Sequence, residues 1–391
     1  MSRRALVLAV LAGLAALAVP ARADSVFGIR GIGLLGRPLS ARASGAAGAF
    51  ALFDGTSTSN PASLSQILTT SGWGTFAATA RTFSDGPVGA TLGSTRFPLF
   101  GFATPVGRRA VVGVSVSDYL DRTWSDSTGQ DTLLRDSAVT VADLASSTGG
   151  VTDIRVAGAY RLSDAVSVGL GVHVLAGSTR LTIARSFSVT SFANYSEVAT
   201  TTFSGLGVSA GVQARLGPRL AAAASVRVNG RLTASVLGGA STTVALPVEA
   251  AAGALYVPVN GLGVAVSAGY QTWSRAAADL AAAGRPGTRN VWNVAVGAEV
   301  TAVRWRGETL PIRVGYRWRQ LPFGIEQQLP AGTVPLTVTV PLNEHALSAG
   351  VGLVLAGDRA TLDIGAETGS RAAGNASERF TTGFLGLTVR P

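Results

Sequence analysis

From Ala165 to Val174 the chain alternates without a break. Val166, Val168, Leu170, Val172 and Val174 fall on one face, and Ser167, Gly169, Gly171 and His173 on the other. A period of two is that of a β-strand, here with one apolar face backed by a small, polar one. Variants of the pattern predict strands near 72–82, 97–104, 109–118, 152–161, 165–175, 204–215, 219–229, 247–256, 262–273, 290–301, 310–319, 343–355, 360–369 and 380–389. Each is about as long as a tilted strand needs to cross a bilayer. Beyond the first two dozen residues no apolar run reaches about eighteen, so no spanning helix is predicted. A closed barrel is the other structure that satisfies every backbone group in lipid.

The links sharpen this expectation. Those at 105–108, 162–164, 216–218, 257–261 and 356–359 are short and rich in turn residues. They alternate with longer ones at 83–96, 119–151, 176–203, 230–246, 274–289, 320–342 and 370–379, and only 302–309 is intermediate. Short turns at one end and long loops at the other are the habit of bacterial outer-membrane barrels. Tyr256, Tyr270, Trp273, Trp292, Tyr316 and Trp318 fall near predicted strand ends, as an interfacial girdle requires. Residues 276–283 predict a short apolar helix at the long-loop rim. The fold class is therefore all-β: a transmembrane antiparallel β-barrel of about 14 strands, with an N-terminal hatch, or plug, in its lumen.

Three segments divide the chain. Residues 1–23 have a basic start at Arg3 and Arg4, an apolar core and a small-x-small site at Ala21-Arg22-Ala23, which predicts a cleavable secretory signal. Residues 24–71 do not alternate. They crowd small residues around Gly45 and Gly48, then reach an Asn60-Pro61-Ala62 turn, a composition suited to close packing against a barrel wall. Residues 72–391 form the predicted barrel. Localisation follows as the bacterial outer membrane.

Composition removes several function classes. The chain has no cysteine, hence neither a disulfide scaffold nor thiol chemistry. All 32 basic side chains are arginine, and the net charge of +10 falls to +7 without Arg3, Arg4 and Arg22. These arginines are scattered along strands and loops rather than gathered on one helix, which argues against a nucleic-acid partner. The two histidines, His173 and His345, are far apart in sequence, so neither a metal site nor another cofactor is predicted, and no catalytic residue is assigned. His173 faces inward among serines as a polar residue of the wall.

Turning the apolar face to lipid fixes what points inward. An arginine on the lipid face at mid-bilayer costs about 2–4 kcal/mol. Arg155, Arg161, Arg215, Arg227, Arg313, Arg317 and Arg319 therefore face the lumen, with Glu249, Glu299, Asp363 and Glu367. Seven arginines against four acids predict a basic interior able to attract a carboxylate headgroup. Arg313 and Arg317 lead the candidate ligand-binding set, followed by Arg155 and Arg161. Tyr119, Leu120, Trp124, Leu133, Leu134, Phe187, Phe192 and Tyr195 lie in the two longest links and form a candidate capture surface for greasy ligands.

The order of these features resembles the FadL-type outer-membrane transporters of long-chain fatty acids and other hydrophobic compounds. The likeness rests on Gly45, Gly48 and Asn60-Pro61-Ala62 in the N-terminal segment. Mid-chain it rests on Leu246-Pro247-Val248, on 253–258 and on Tyr270-Gln271-Thr272-Trp273-Ser274. Downstream it rests on Trp292-Asn293, 313–318 and Pro322. It implies that the five N-terminal residues form a hatch or gate, and that the substrate is a hydrophobic small molecule or fatty acid taken up passively across the lipids of the outer membrane. It also implies an inward kink on the third strand that opens the wall sideways, with Gly113 as the candidate position. The chain departs from the pattern in ending Thr388-Val389-Arg390-Pro391 rather than in an aromatic residue. A second reading is a PorV-type scaffold or carrier for a secreted protein partner, without small-molecule transport. A third, an open polar pore, conflicts with the plug-like 24–71 segment.

Overall fold

The computed structural model describes residues 25–85, 88–135, 137–285, 287–305, 307–329, 336–355 and 357–391; the predicted signal at 1–23 lies outside them. Fourteen antiparallel strands close into a barrel: β1 Ser71–Asp85, β2 Val88–Val106, β3 Ala110–Asp121, β4 Ser137–Arg161, β5 Val166–Phe187, β6 Tyr195–Arg215, β7 Leu220–Asn229, β8 Val248–Val259, β9 Leu262–Gln271, β10 Val291–Val300, β11 Ile312–Gln320, β12 Asn343–Leu355, β13 Ala360–Ala373 and β14 Ala376–Val389. Each pairs with its neighbours in sequence, and β14 returns to β1 from Gly72↔Val389 to Asp85↔Ala376. Closure pairs neighbouring strand edges around the barrel, except that β2 and β3 part beyond Leu99↔Ser117. No helix among the described residues is long and apolar enough to cross a membrane.

On β5 the faces separate as the sequence requires. Leu170, Val172 and Val174 are exposed outward, Leu170 to 70 %, while His173 is 1 % exposed inside. On β11, Ile312, Val314 and Tyr316 face out and Arg313, Arg317 and Arg319 are buried. Trp292, Tyr256 and Tyr316 lie on the outer surface, and Tyr270 packs on Trp292 with centroids 4.6 Å apart. Trp273 departs from the girdle: it lies past the end of β9, fully buried, edge-on to Phe323 at 5.2 Å. It opens the rim turn that leads into the helix Ala277–Ala282, whose Leu280 is buried in one cluster with Ile32 and Leu120.

The long-loop end differs from the sequence expectation. Most of 83–96, 137–151, 176–187, 195–203 and 370–379 is strand rather than loop. β4, β5 and β6 run to 25, 22 and 21 residues, whereas β9, β10 and β11 have 10, 10 and 9, so one side of the barrel stands much taller. The segment Trp124–Leu134 is itself a strand hairpinned to β4. Toward the tips the outward positions become polar, as at Thr140, Ser186 and Thr202, while Val139, Val141 and Phe203 stay buried, so the two-residue period loses its contrast although the ladder continues.

Residues 27–65 pack against inward-facing residues of the barrel, whereas Leu68 is exposed. Gly45 meets the backbone of Gly350, and Gly315 has no side chain because the Ala46 backbone fills that space. Gly48 adopts φ 92°, a left-handed conformation that glycine enters without strain. Asn60 caps the 3-10 turn Pro61–Gln66, its side chain accepting from Ala62 N–H at 3.0 Å, with proline at the first position.

Candidate functional site

Two apolar clusters close the lumen, one around Trp273 and Phe323 at the rim and one around Leu64, Trp73 and Leu99 toward the short turns. Between them runs a belt of charge. Arg313 donates to Glu299 and to Asp363, both at 2.5 Å. Arg317 donates to Glu344 at 2.6 Å and Glu367 at 2.8 Å. Glu344 also accepts from Arg319 at 2.8 Å and from Arg371 at 2.6 Å.

The inward arginines face as their parity requires, and Arg37, Arg42, Arg81, Arg96 and Arg371 join them, but most are paired with carboxylates. Glu344, Glu378, Asp153, Asp118 and Asp121 add carboxylates, and the segment inside the barrel contributes Arg37 on Glu367 and Arg42 on Glu299, each at 2.7 Å. Arg313 and Arg317 are held between acids in this structure. The missing acids were legible by parity. Asp153 alternates with Arg155, and Glu344 with Ser348.

Arg155 and Arg161 hold the internal segment. Arg155 Nη1 donates to the Thr58 carbonyl at 2.8 Å and Arg161 Nη2 to the Ser65 carbonyl at 2.6 Å. Both bonds flank the Asn60 turn. Asn60 Nδ2 reaches the Leu52 carbonyl at 3.1 Å and the Val212 carbonyl at 3.3 Å. Pro61 and Ala62 lie against Gly169, where any side chain would strike their backbone. Of the residues singled out as a hatch, Asn60, Pro61 and Ala62 thus pack on the wall of β5 and β6, whereas Gly45 lies against Gly350 of β12.

The expected capture surface does not assemble in one place. Tyr119 is buried in the lumen, its ring 4.9 Å from the Arg227 guanidinium and its hydroxyl 3.4 Å from Asn229. It sits on β3, not in a loop. Trp124 is half-buried beside Gly28. Leu133 and Leu134 end the hairpin above β4, Leu133 fully outward, and Phe187 packs on Phe192 at 5.4 Å at the tip between β5 and β6. Strand continuation explains the scatter, since each residue follows its own ladder.

The wall itself has a break. β2 and β3 pair from Val106↔Ala110 only as far as Leu99↔Ser117. Beyond this, Leu120 and Asp121 pair instead with Leu35 and Leu34 of the internal segment, and Gly36 N–H donates to the Tyr119 carbonyl at 2.8 Å. The register of β3 against β4 shifts between Asp118 and Leu120. Gly113, the expected kink, is in unbroken register on both sides. The irregularity lies at Tyr119 because the ladder changes partner there. Arg96 bridges the break, 2.5 Å from Asp121. Behind it a cavity of about 160 Å³ is lined by Leu34, Leu39, Phe380 and Phe384 together with Arg96, Arg317 and Glu367, and a second of about 240 Å³ by Leu35, Leu52, His173 and Ser209 among others.

No family model matches the chain, and no curated protein matches it in sequence. Solved structures share the fold at low identity. A FadL homologue of Pseudomonas aeruginosa is 14 % identical over 91 % of this chain and 99 % of its own, with a TM-score of 0.60. The CymD monoaromatic hydrocarbon channel is 14 % identical over 92 % and 98 %, with a TM-score of 0.56. The toluene transporter TbuX of Ralstonia pickettii is 14 % identical over 92 % and 100 %, with a TM-score of 0.55. The resemblance noted in the sequence is thus a shared architecture: this is a FadL-type barrel fold.

Proposed function

We propose that this FadL-type barrel lies in the outer membrane and admits compact hydrophobic molecules by passive diffusion, with residues 25–70 as its hatch. One observation carries the reading: the wall opens between β2 and β3, and the strand that fills the gap, Leu34–Leu35, belongs to the hatch. An apolar solute leaving the lumen there passes into the lipid beside the wall, through a cavity that Arg96, Arg317 and Glu367 share with Leu34 and Phe384. Moving Leu34–Leu35 breaks few backbone bonds, so thermal motion suffices and no energy source is required.

The cavity volumes favour small solutes. The two cavities beside the hatch, of about 240 and 160 Å³, lie below the roughly 300–1,000 Å³ of pockets that enclose drug-sized ligands, whereas the cavity at the short-turn end, lined by Phe53, Ser65 and Arg161, reaches about 600 Å³. Compact aromatic or short-chain compounds fit the closed state, and a long acyl chain requires the hatch to move. The arginines at 155 and 161 then act as hatch anchors, and Gly45, Gly48 and Asn60-Pro61-Ala62 as the packed gate. Uptake of radiolabelled toluene and of a long-chain fatty acid by a deletion strain, with and without the restored gene, tests the proposal. Faster uptake of toluene with the gene supports it. Equal rates for both solutes, with a secreted protein co-purifying in equal amounts, would transfer support to the scaffold reading.

A further inference from the structure

Asp153, His173 and Ser209 stand on three successive strands and all point into the lumen. His173 is opposite Arg155 on β4 and Gly207 on β6, so Asp153 and Ser209 are its two diagonal neighbours. Neither diagonal is blocked, because Gly171 lacks the side chain that would strike Ser209 Oγ. Asp153 receives His173 Nδ1 at 2.9 and 3.0 Å, and His173 Nε2 lies 2.9 Å from Ser209 Oγ. A carboxylate only accepts, so the Nδ1 proton is fixed and Nε2 is left to accept the serine hydroxyl proton. Arg227 Nη1 donates to Asp153 at 2.7 Å and holds the carboxylate in place.

Two further facts set this chain of bonds apart from an ordinary buried network. His173 and Ser209 line the cavity of about 240 Å³, whose apolar side is supplied by Leu35, Leu39 and Leu52 of the internal segment. Arg227, opposite Ser209 in register, lines it too, and its Nη2 is buried with no hydrogen-bond partner. A hydroxyl activated at one wall of an apolar cavity, with a cation beside it, is the constellation of acyl transfer.

We propose that Ser209 is a nucleophile activated by His173, with Asp153 as positioning residue, and that the cavity takes small carboxylic esters. Ser209 Oγ bonds to the ester carbonyl carbon while its proton passes to His173 Nε2, and the oxyanion forms beside Arg227. The C–O bond to the alcohol then breaks, and the alcohol leaves with the proton from His173. Water, deprotonated by the same nitrogen, attacks the acyl-serine, releases the carboxylic acid and restores Ser209.

The test uses the full-length barrel folded in detergent, with heat-modifiable gel migration as the measure of folding. A fluorophosphonate probe is expected to label one site, Ser209, and p-nitrophenyl butyrate to be hydrolysed. Ser209→Ala abolishes both, and His173→Gln slows both by about 100-fold or more. Asp153→Asn slows hydrolysis and alters its pH profile. Because the chain has no native cysteine, Ser209→Cys places a single thiol at the site. Its alkylation by iodoacetamide is expected to persist below pH 7, and to return to the ordinary thiol range near 8.5 when His173→Gln is added. Folded wild type that takes no probe, labelling that survives Ser209→Ala, or a Ser209→Cys thiol that is unreactive or titrates as an ordinary one each overturns the proposal.

Discussion

Asn60 occupies the space that a side chain at Gly211 would need: its Oδ1 stands where the Cβ would be. The same side chain caps its own turn and donates to carbonyls at Leu52 and Val212. One residue therefore ties the internal segment both to itself and to β6. Gly211→Ala is expected to push Asn60 off the wall while leaving the barrel closed. Asn60→Ala leaves buried carbonyls with fewer donors, at a cost of about 1–3 kcal/mol. Both variants should show larger single-channel conductance and faster proteolysis near residue 60. Unchanged conductance in both would remove this contact from the gate.

Glu344 is the most heavily used acid of the lumen. It is fully buried and accepts from Arg317, Arg319 and Arg371. Glu344→Gln keeps the shape but withdraws the charge that three guanidinium groups share. Removing one partner of a buried ionic set costs about 3–5 kcal/mol. The midpoint of urea unfolding in detergent should fall accordingly, whereas Glu308→Gln, outside the belt, should leave it in place.

Much of this architecture was legible in the chain. Inside the bilayer one face of each strand meets lipid and the other a polar lumen, so the alternation of Val166–Val174 and of Ile312–Arg319 carries both strand and facing. Where that contrast ends, legibility ends. The continuation of β4 to β6 carries polar residues on its outward face and reads as loop, and the end of β3 does likewise, which misplaces Tyr119 as a loop residue. The arginines at 313 and 317 were placed on the correct face, yet their partners could not be weighed without Glu344 and the internal Arg37. The bonds from Arg155 and Arg161 to carbonyls of the internal segment leave no side-chain signature at all.

Asp279 gives the rim a dependence on pH. It lies on the short helix beyond β9, accepts from Ala245 N–H at 2.8 Å and pairs with Arg231 at 3.0 Å. The amide hydrogen bond, with the guanidinium second, holds its carboxyl below the usual range. A depressed value means that the stabilisation is complete above the unfolded value, about 3.9, and is lost as pH falls below it toward the folded one. Amide exchange over 273–283, compared between pH 6 and pH 3 and corrected for intrinsic rates, should show reduced protection at the lower pH. Asp279→Asn should abolish that difference, and protection that is independent of pH in the wild type would refute the assignment.

Leu35 and Leu120 face each other across the short ladder that joins the internal segment to the break in the wall. Directly opposed positions of an antiparallel pair hold their Cβ atoms about 4.5–5.5 Å apart, within reach of a disulfide after slight adjustment. With no native cysteine to compete, Leu35→Cys combined with Leu120→Cys offers one possible bond. Oxidation should fix Leu34–Leu35 in the gap and bring toluene uptake to the level of the deletion strain, and a reductant should restore it. Each single variant should transport under both conditions, because neither can close the bond. Full uptake through the oxidised double variant, with the cross-link verified by mass spectrometry, would mean that solute leaves the lumen by another route and that the break between β2 and β3 is only a seam.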